Sequence, residues 1–276
     1  MKTADKIIIY DDSCPMCNWY TGVFVRTGLL DKDGRQAFTN MQPELMGMID
    51  TDLCRNEIPL IDIANKKVWY GTDALLEILG SRFPLLKSVF RLAFFKLLIK
   101  KLYKLISYNR RSIVAPATIN KGFDCTPDFN ITYRLLFMVI GLIVNSLLLF
   151  PFQQHVLLHS IFRNAGIVQL QAAHLLLVAC NILAAMFLSK ETAIEYLGQV
   201  NMLAIICTLL YIPLIVLNKA LPVPELFNNI WLAAILFIVF KEYIRRMEFA
   251  GLLLQHKLIT ATNLFCLVLF IIYLIK

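Results

Sequence analysis

Ile7-Ile8-Ile9-Tyr10-Asp11-Asp12-Ser13-Cys14-Pro15-Met16-Cys17 is the stretch whose reading decides the fold. The apolar run Ile7 to Tyr10 predicts a buried strand over 6–10. Ser13 as N-cap and Pro15 in the first turn predict a helix over 14–27, with Trp19, Val23 and Phe24 on its apolar face. A C-x-x-C that ends a strand and opens a helix suits dithiol chemistry. The helix N-terminus carries partial positive charge and unpaired N–H groups, which favour a thiolate. Two cysteines three apart on the first turn can also close into a disulfide. Cys14, nearer the helix start, is the candidate nucleophile, and Cys17 the thiol that resolves the mixed disulfide. Asp11 either tunes the thiols or passes a proton through water, or it is a turn-forming aspartate at a strand end.

Working outward, Arg35 to Met41 predicts a second strand and 43–54 a short helix. Ile58 to Ala64 and Lys67 to Tyr70 alternate and are joined by Asn65-Lys66, a hairpin. Thr72 caps a helix over Asp73 to Gly80 that turns Ala74, Leu75, Ile78 and Leu79 to one side. The order β-α-β-α-β-β-α resembles a thioredoxin-like domain. In such folds a cis proline begins the strand before the hairpin and lies against the C-x-x-C. Pro59 occupies that place; the alternative is an ordinary trans proline at a strand start. Cys54, five residues earlier, can approach the site or serve as a small core residue.

The remainder is of another kind. The chain has 276 residues, 58% hydrophobic, and a mean hydropathy of +0.66, too apolar for a soluble globular protein of this size. Five apolar segments near 133–150, 167–188, 196–217, 226–240 and 258–275 each approach a bilayer's length as helices. The fold class is therefore an α/β thioredoxin-like N-terminal domain followed by an all-α transmembrane bundle. The domains are a head over 1–84, a basic amphipathic interfacial helix over 85–112, a linker over 113–132 and a membrane domain over 133–276. In 85–107, Leu85, Leu86, Val89, Phe90, Leu97, Leu98, Leu102 and Ile106 are part of an apolar surface, while Lys96, Lys100, Lys101 and Lys104 fall on one arc. That pattern suits a helix lying on a lipid surface, or one packed on the head with a solvated basic face. The net charge of +8 clusters beside apolar segments, which points to anionic lipid and not to nucleic acid.

Lysine and arginine counts orient the spans. Arg110, Arg111, Lys121, Arg134, Lys190, Lys241, Arg245, Arg246 and Lys257 fall on the head's side, and Arg163, Lys219 and Lys276 opposite. The start Met1-Lys2-Thr3-Ala4-Asp5-Lys6 leads into an apolar run too short for a signal core. The head is thus expected in the cytoplasm of a cell (inner) membrane protein, where a reducing environment makes a C-x-x-C redox-cycling or metal-binding and not a staple. Zinc normally needs two further ligands, and the head offers no histidine and only Cys54 as a further thiol. Cys180, Cys207 and Cys266 fall within spans, as tolerated small residues or a thiol relay. His155 and His159 are four apart on the outer loop, a spacing open to metal or haem. Asn145, His174, Asn181, Gln199, Asn201 and Asn263 are expected to face the bundle interior, bonding across helices or lining a cavity for a quinone.

The opening stretch resembles the DCC family of thiol-disulfide oxidoreductases, whose Asp-x-x-Cys-x-x-Cys motif Asp11, Cys14 and Cys17 match. Val68-Trp69-Tyr70-Gly71-Thr72-Asp73-Ala74-Leu75-Leu76 and Leu105-Ile106-Ser107-Tyr108-Asn109-Arg110-Arg111 resemble that family's hairpin-to-helix junction and the basic end of its domain. The resemblance covers about 5–112. Asp12 departs from it, standing where glycine is common; it alters the turn or adds a charge that raises the Cys14 pKa. The resemblance implies a thiol-disulfide oxidoreductase with Cys14, Cys17, Asp11 and Pro59 as site residues, and the five apolar segments make it membrane-anchored. It requires no cofactor and no metal, and its partners are a protein or small-molecule thiol or disulfide, the lipid bilayer, and a membrane redox partner or quinone. The alternative is a transporter or scaffold whose C-x-x-C head binds or senses a soft metal.

Overall fold

The computed structural model describes residues 5–85, 90, 92–116 and 125–275. Of the residues named above, Met1 to Ala4, Leu86, Val89, Lys121 and Lys276 lie outside that set. The chain divides into two compact units, Met1–Arg134 and Leu135–Lys276.

The first unit is built on a four-stranded sheet in the order β2-β1-β3-β4. Its strands are β1 (Lys6–Tyr10), β2 (Arg35–Ala37), β3 (Pro59–Asp62) and β4 (Lys67–Tyr70). β1 pairs in parallel with β2, across the helix α1 (Pro15–Arg26), and antiparallel with β3, which forms the hairpin with β4. Side chains alternate across the pleat, so the continuous run Ile8-Ile9 serves two cores. Ile8 and Leu60 join Leu29, Leu30, Ile58, Ala74 and Ile78 under α1 and α4 (Gly71–Arg82). Ile9 and Ile61 join Phe38, Leu45, Ile49, Cys54 and Cys125 on the opposite face. Burying each such isoleucine contributes about 1.5–3 kcal/mol.

α1 ends where Gly28 takes a φ of +70°. The Gly28 N–H then bonds the Val25 carbonyl and the Leu29 N–H the Phe24 carbonyl, a Schellman closure that seats Leu29 in the core. The second expected strand is shorter than 35–41, because Phe38–Asn40 turns into a 3-10 helix that buries Phe38. The helix expected over 43–54 is two single turns, α2 (Pro43–Met46) and α3 (Thr51–Cys54), the latter capped by Asp50. The helix expected over Asp73 to Gly80 with Thr72 as its cap runs instead over Gly71–Arg82, with Tyr70 as N-cap.

α5 (Ala93–Ile113) belongs to this unit and has two distinct sides. Tyr103, Ser107 and Arg110, at positions i, i+4 and i+7, pack toward the sheet: Tyr103 Oη accepts from the Ile58 N–H at 2.9 Å, and Ser107 Oγ donates to the Asn56 carbonyl. Phe94, Leu98 and Leu102 are exposed on the opposite side, while Lys96 and Lys100 continue the Tyr103–Ser107–Arg110 stripe toward the helix start, where Lys96 pairs with Asp73 at 3.6 Å.

The second unit is helical. Its spans are α6 (Ile131–His155, whose first turn belongs to the first unit), α7 (Ile167–Ala185), α8 (Lys190–Ala220), α9 (Glu225–Phe249) and, after the single turn α10 (Leu252–Gln255), α11 (Lys257–Ile275). Five helices are long and apolar enough to cross a membrane. Polar groups bond between them: Thr208 Oγ1 donates to Asn145 Oδ1 at 2.8 Å, Tyr196 Oη to Asn181 Oδ1 at 2.5 Å, and Arg246 Nη1 to Gln199 Oε1 at 2.6 Å. Asn263 reaches both Asn181 and Tyr196, and Asn201 reaches the Phe137 carbonyl at 3.5 Å. His174 Nε2 is buried with no hydrogen-bond partner. Among the described residues no group of three or more His, Cys, Asp or Glu is placed to hold a metal ion, His155 and His159 included.

Candidate dithiol site

The chain leaves β1 through a tight turn at Asp11. The Cys14 N–H bonds the Asp11 carbonyl at 3.2 Å. Asp11 Oδ1 accepts from the Ser13 N–H at 3.0 Å and from Ser13 Oγ at 2.5 Å. The Ser13 hydroxyl is thus committed backward, and the residue that caps α1 is Cys14 itself: its Sγ accepts from the Cys17 N–H at 3.4 Å. The expected cap moves by one residue, and the nucleophile becomes the acceptor for a free helix N–H. Pro15, with no N–H to satisfy, fills the first helical position.

The two thiols differ in acidity. The Cys14 thiol is drawn down from 9.0 to about 7. Its largest contribution is the hydrogen bond from the Cys17 side chain; burial opposes it, and the Cys17 backbone N–H and the Arg110 charge lower it further. Cys17 is pushed well above the ordinary value, because its proton is held toward Cys14, because it is buried and because Cys14 is anionic. One thiol is thereby prepared as a thiolate and its neighbour kept as the protonated reserve.

Arg110 is the site residue that sequence reading placed elsewhere. From the last turn of α5 its guanidinium comes under the C-x-x-C, 3.5 Å from Asp11 Oδ2, with both side chains no more than 7% exposed. Nη1 donates to the Arg55 carbonyl at 2.9 Å and Nη2 to the Cys125 carbonyl. Burial disfavours its charge, but the thiols and Asp11 outweigh that. Asp11 is therefore both the turn-forming residue and a buried charge, joining the two readings its position left open. Its charge raises the Cys14 pKa while Arg110 lowers it. Asp12 turns away and accepts from Thr39 Oγ1 at 3.1 Å.

A cavity of about 290 Å³ opens beside Cys17, lined by Asp11, Pro59, Tyr103 and Arg110 among largely apolar neighbours. Pro59 begins β3 as expected, in register with Tyr70, and the preceding peptide bond is trans. The cis geometry, one of the two readings for this proline, is not adopted. Cys54 also lines the cavity, its thiol pushed up to about 12 by burial; burial likewise raises Cys125. Trp19, next but one to Cys17 in sequence, stands 67% exposed.

A strand, a C-x-x-C helix cap and a proline strand facing it define a thioredoxin-like dithiol domain. Residues 8–115 match the family model for DCC1-like thiol-disulfide oxidoreductases, and five membrane-length helices follow among the described residues. The match runs past α5 and so takes in Tyr103, Ser107 and Arg110. No curated protein and no solved structure matches the chain.

Proposed function

We propose that this chain is a membrane-anchored thiol-disulfide oxidoreductase in which Cys14 attacks and Cys17 resolves. The Cys14 thiolate attacks one sulfur of a substrate disulfide, forming a mixed disulfide and releasing the other substrate sulfur as a thiolate. Cys17 gives up its proton and attacks the Cys14 sulfur, expelling the second substrate thiol and leaving a Cys14–Cys17 disulfide. The reverse sequence oxidises a substrate dithiol. Asp11 and Arg110 set the charge beneath the thiols, and Pro59 walls the cavity beside Cys17.

The observation that carries this reading is the seat of Cys14 Sγ at the start of α1, accepting from the Cys17 N–H at 3.4 Å, with Cys17, Asp11 and the buried Arg110 lining one cavity. The lysine and arginine bias of the connections supports a head on the cytoplasmic side. The exposed Phe94, Leu98 and Leu102, on one side of the helix, support contact of the first turns of α5 with a lipid surface. The test is a redox titration of the full chain in detergent, with alkylation at each potential and peptide mass analysis. The expected result is a reversible two-electron Cys14–Cys17 couple. Two thiols that stay alkylatable across the physiological range of potentials overturn the proposal.

A further inference from the structure

We propose that the cavity beside Cys17 binds a lipid-soluble quinone, which takes the electrons of the Cys14–Cys17 dithiol and so regenerates the disulfide. This rests on the dithiol chemistry proposed above, to which it adds an electron acceptor and a direction.

The cavity meets a thiol and suits a neutral, apolar guest. Cys17 lines it, with Met16, Phe24, Phe38, Ile58, Leu75 and Ile106 among its walls. A dry cavity of about 150 Å³ takes up benzene, so one of about 290 Å³ has room for a substituted ring. Most polar groups in the wall are engaged. Asp11 lies against Arg110, Ser107 Oγ donates to the Asn56 carbonyl, and Tyr103 Oη accepts from the Ile58 N–H. Two donors are left for a guest. Arg110 Nε is buried with no hydrogen-bond partner among the described residues, in a side chain only 7% exposed. A buried donor without a partner calls for an acceptor. The Tyr20 hydroxyl, also in the wall, is kept protonated because burial raises its pKa. The carbonyl oxygens of a quinone are acceptors, and the guanidinium charge stabilises such an oxygen as electrons arrive on it.

The path to the cavity selects a lipid-soluble guest. Phe94, Leu98, Leu102 and Ile106 follow one another at i+4 along α5, and every one is at least 41% exposed. Each step of four residues turns the row by about 40°. The row therefore starts on the exposed side of the helix at Phe94 and reaches the cavity wall at Ile106. An apolar track thus joins an open helix face to the dithiol. A water-soluble thiol or disulfide needs no such track, whereas a molecule dissolved in a bilayer does. Among lipid-soluble neutral rings with carbonyl acceptors, quinones are the class that takes two electrons from a dithiol. In the step, Cys14 and Cys17 give up two electrons and one S–S bond forms. The quinone takes the two electrons and two protons and leaves as the quinol. Cys17 supplies one proton; Cys14 supplies the other, or water does when Cys14 is already a thiolate. The disulfide then oxidises a substrate dithiol, which returns the site to its reduced form.

The test uses the full chain in lipid nanodiscs, reduced, made anaerobic and incubated with decylubiquinone or with the water-soluble oxidant diamide. Free thiols are then blocked with maleimide and the digest is read by mass. The expected product is a Cys14–Cys17 disulfide with either oxidant, and one quinol per disulfide with decylubiquinone. Leu98→Glu puts a charge on the track, about two turns outside the cavity. It should slow the decylubiquinone reaction about tenfold, because a charge is costly in an apolar path, and leave the diamide reaction unchanged. Tyr20→Phe removes one donor and should raise the decylubiquinone concentration for half-maximal rate about fivefold, as loss of one hydrogen bond does. If diamide closes the pair and decylubiquinone does not, the quinone is overturned and the dithiol reading stands. If neither closes it, both fall. If decylubiquinone closes it equally well in wild type and in both variants, the cavity is overturned as the site.

Discussion

Replacing Cys17 with alanine removes the side-chain donor that contributes most to the acidity of Cys14 and leaves the backbone N–H, 3.4 Å from Sγ, in place. The drop from 9.0 to about 7 is roughly 2.7 kcal/mol of preference for the thiolate, at about 1.36 kcal/mol per unit. A hydrogen bond to a charged group contributes about 1.5–3 kcal/mol. Losing one moves the titration of Cys14 up by about a unit or more. At pH 7 the thiolate fraction then falls from about one half to about one tenth. Each remaining thiolate is the better nucleophile, by about threefold per unit for a Brønsted slope near 0.4–0.5. The two effects nearly offset at neutral pH, where alkylation slows only about twofold, while the plateau at high pH rises about threefold. The midpoint and plateau are therefore the diagnostic quantities, and a single rate at pH 7 is not. The assay is iodoacetamide alkylation of the full chain from pH 5 to 10, following the Cys14 peptide by mass. Wild type should titrate near 7, losing reactivity as pH falls through that value. A wild-type midpoint near 9, or a variant midpoint still near 7, refutes the account.

Four further outcomes test the rest of the site. Asp11→Asn removes a charge that raises the Cys14 pKa, so the same alkylation midpoint should fall below that of wild type; a rise contradicts the electrostatics. Arg110→Met leaves the buried Asp11 carboxylate uncompensated, a loss of about 3–5 kcal/mol. It should expose Cys17 to maleimide at much lower urea, with partial recovery in Arg110→Met/Asp11→Asn; unchanged protection of Cys17 refutes the pair. Gly71→Ala puts a side chain at a φ of +56°, with its Cβ 2.8 Å from Glu57 Oε2 and 3.2 Å from the Tyr103 ring. It should cost about 1–2 kcal/mol in the same urea assay from the backbone alone, and an unshifted midpoint counts against the contact. Trp19→Ala removes an exposed aromatic beside the dithiol. It should lower kcat/KM for a protein disulfide by about tenfold, as loss of an aromatic anchor does, while the rate with a small disulfide and the Cys14 midpoint stay put.

What the sequence carried, and what it hid, turns on the range of the interactions. Strand β1 and the hairpin rest on local patterns legible within a dozen residues, and the five spans on apolar runs of about bilayer length. The cap at Cys14 was misplaced by one because serine is the commoner cap. What decided it was that Asp11 engages the Ser13 hydroxyl, a contact invisible to propensity. Arg110 was harder. It ends a helix whose lysines at 96, 100, 101 and 104 announce a basic surface, and its charge was counted with theirs. Arg110 lies on the stripe of Lys96 and Lys100, 14 and 10 positions further on. It lies at i+7 from Tyr103 and i+3 from Ser107, on the side that packs against the sheet, 99 positions along the chain from its partner Asp11. What sets Arg110 apart is burial: the stripe that is exposed at Lys96 and Lys100 turns inward at Ser107 and Arg110. The tyrosine, serine and arginine that continue the basic stripe are the local signal that the C-terminal half of α5 completes the dithiol site, where the charge of Arg110 lowers the Cys14 pKa.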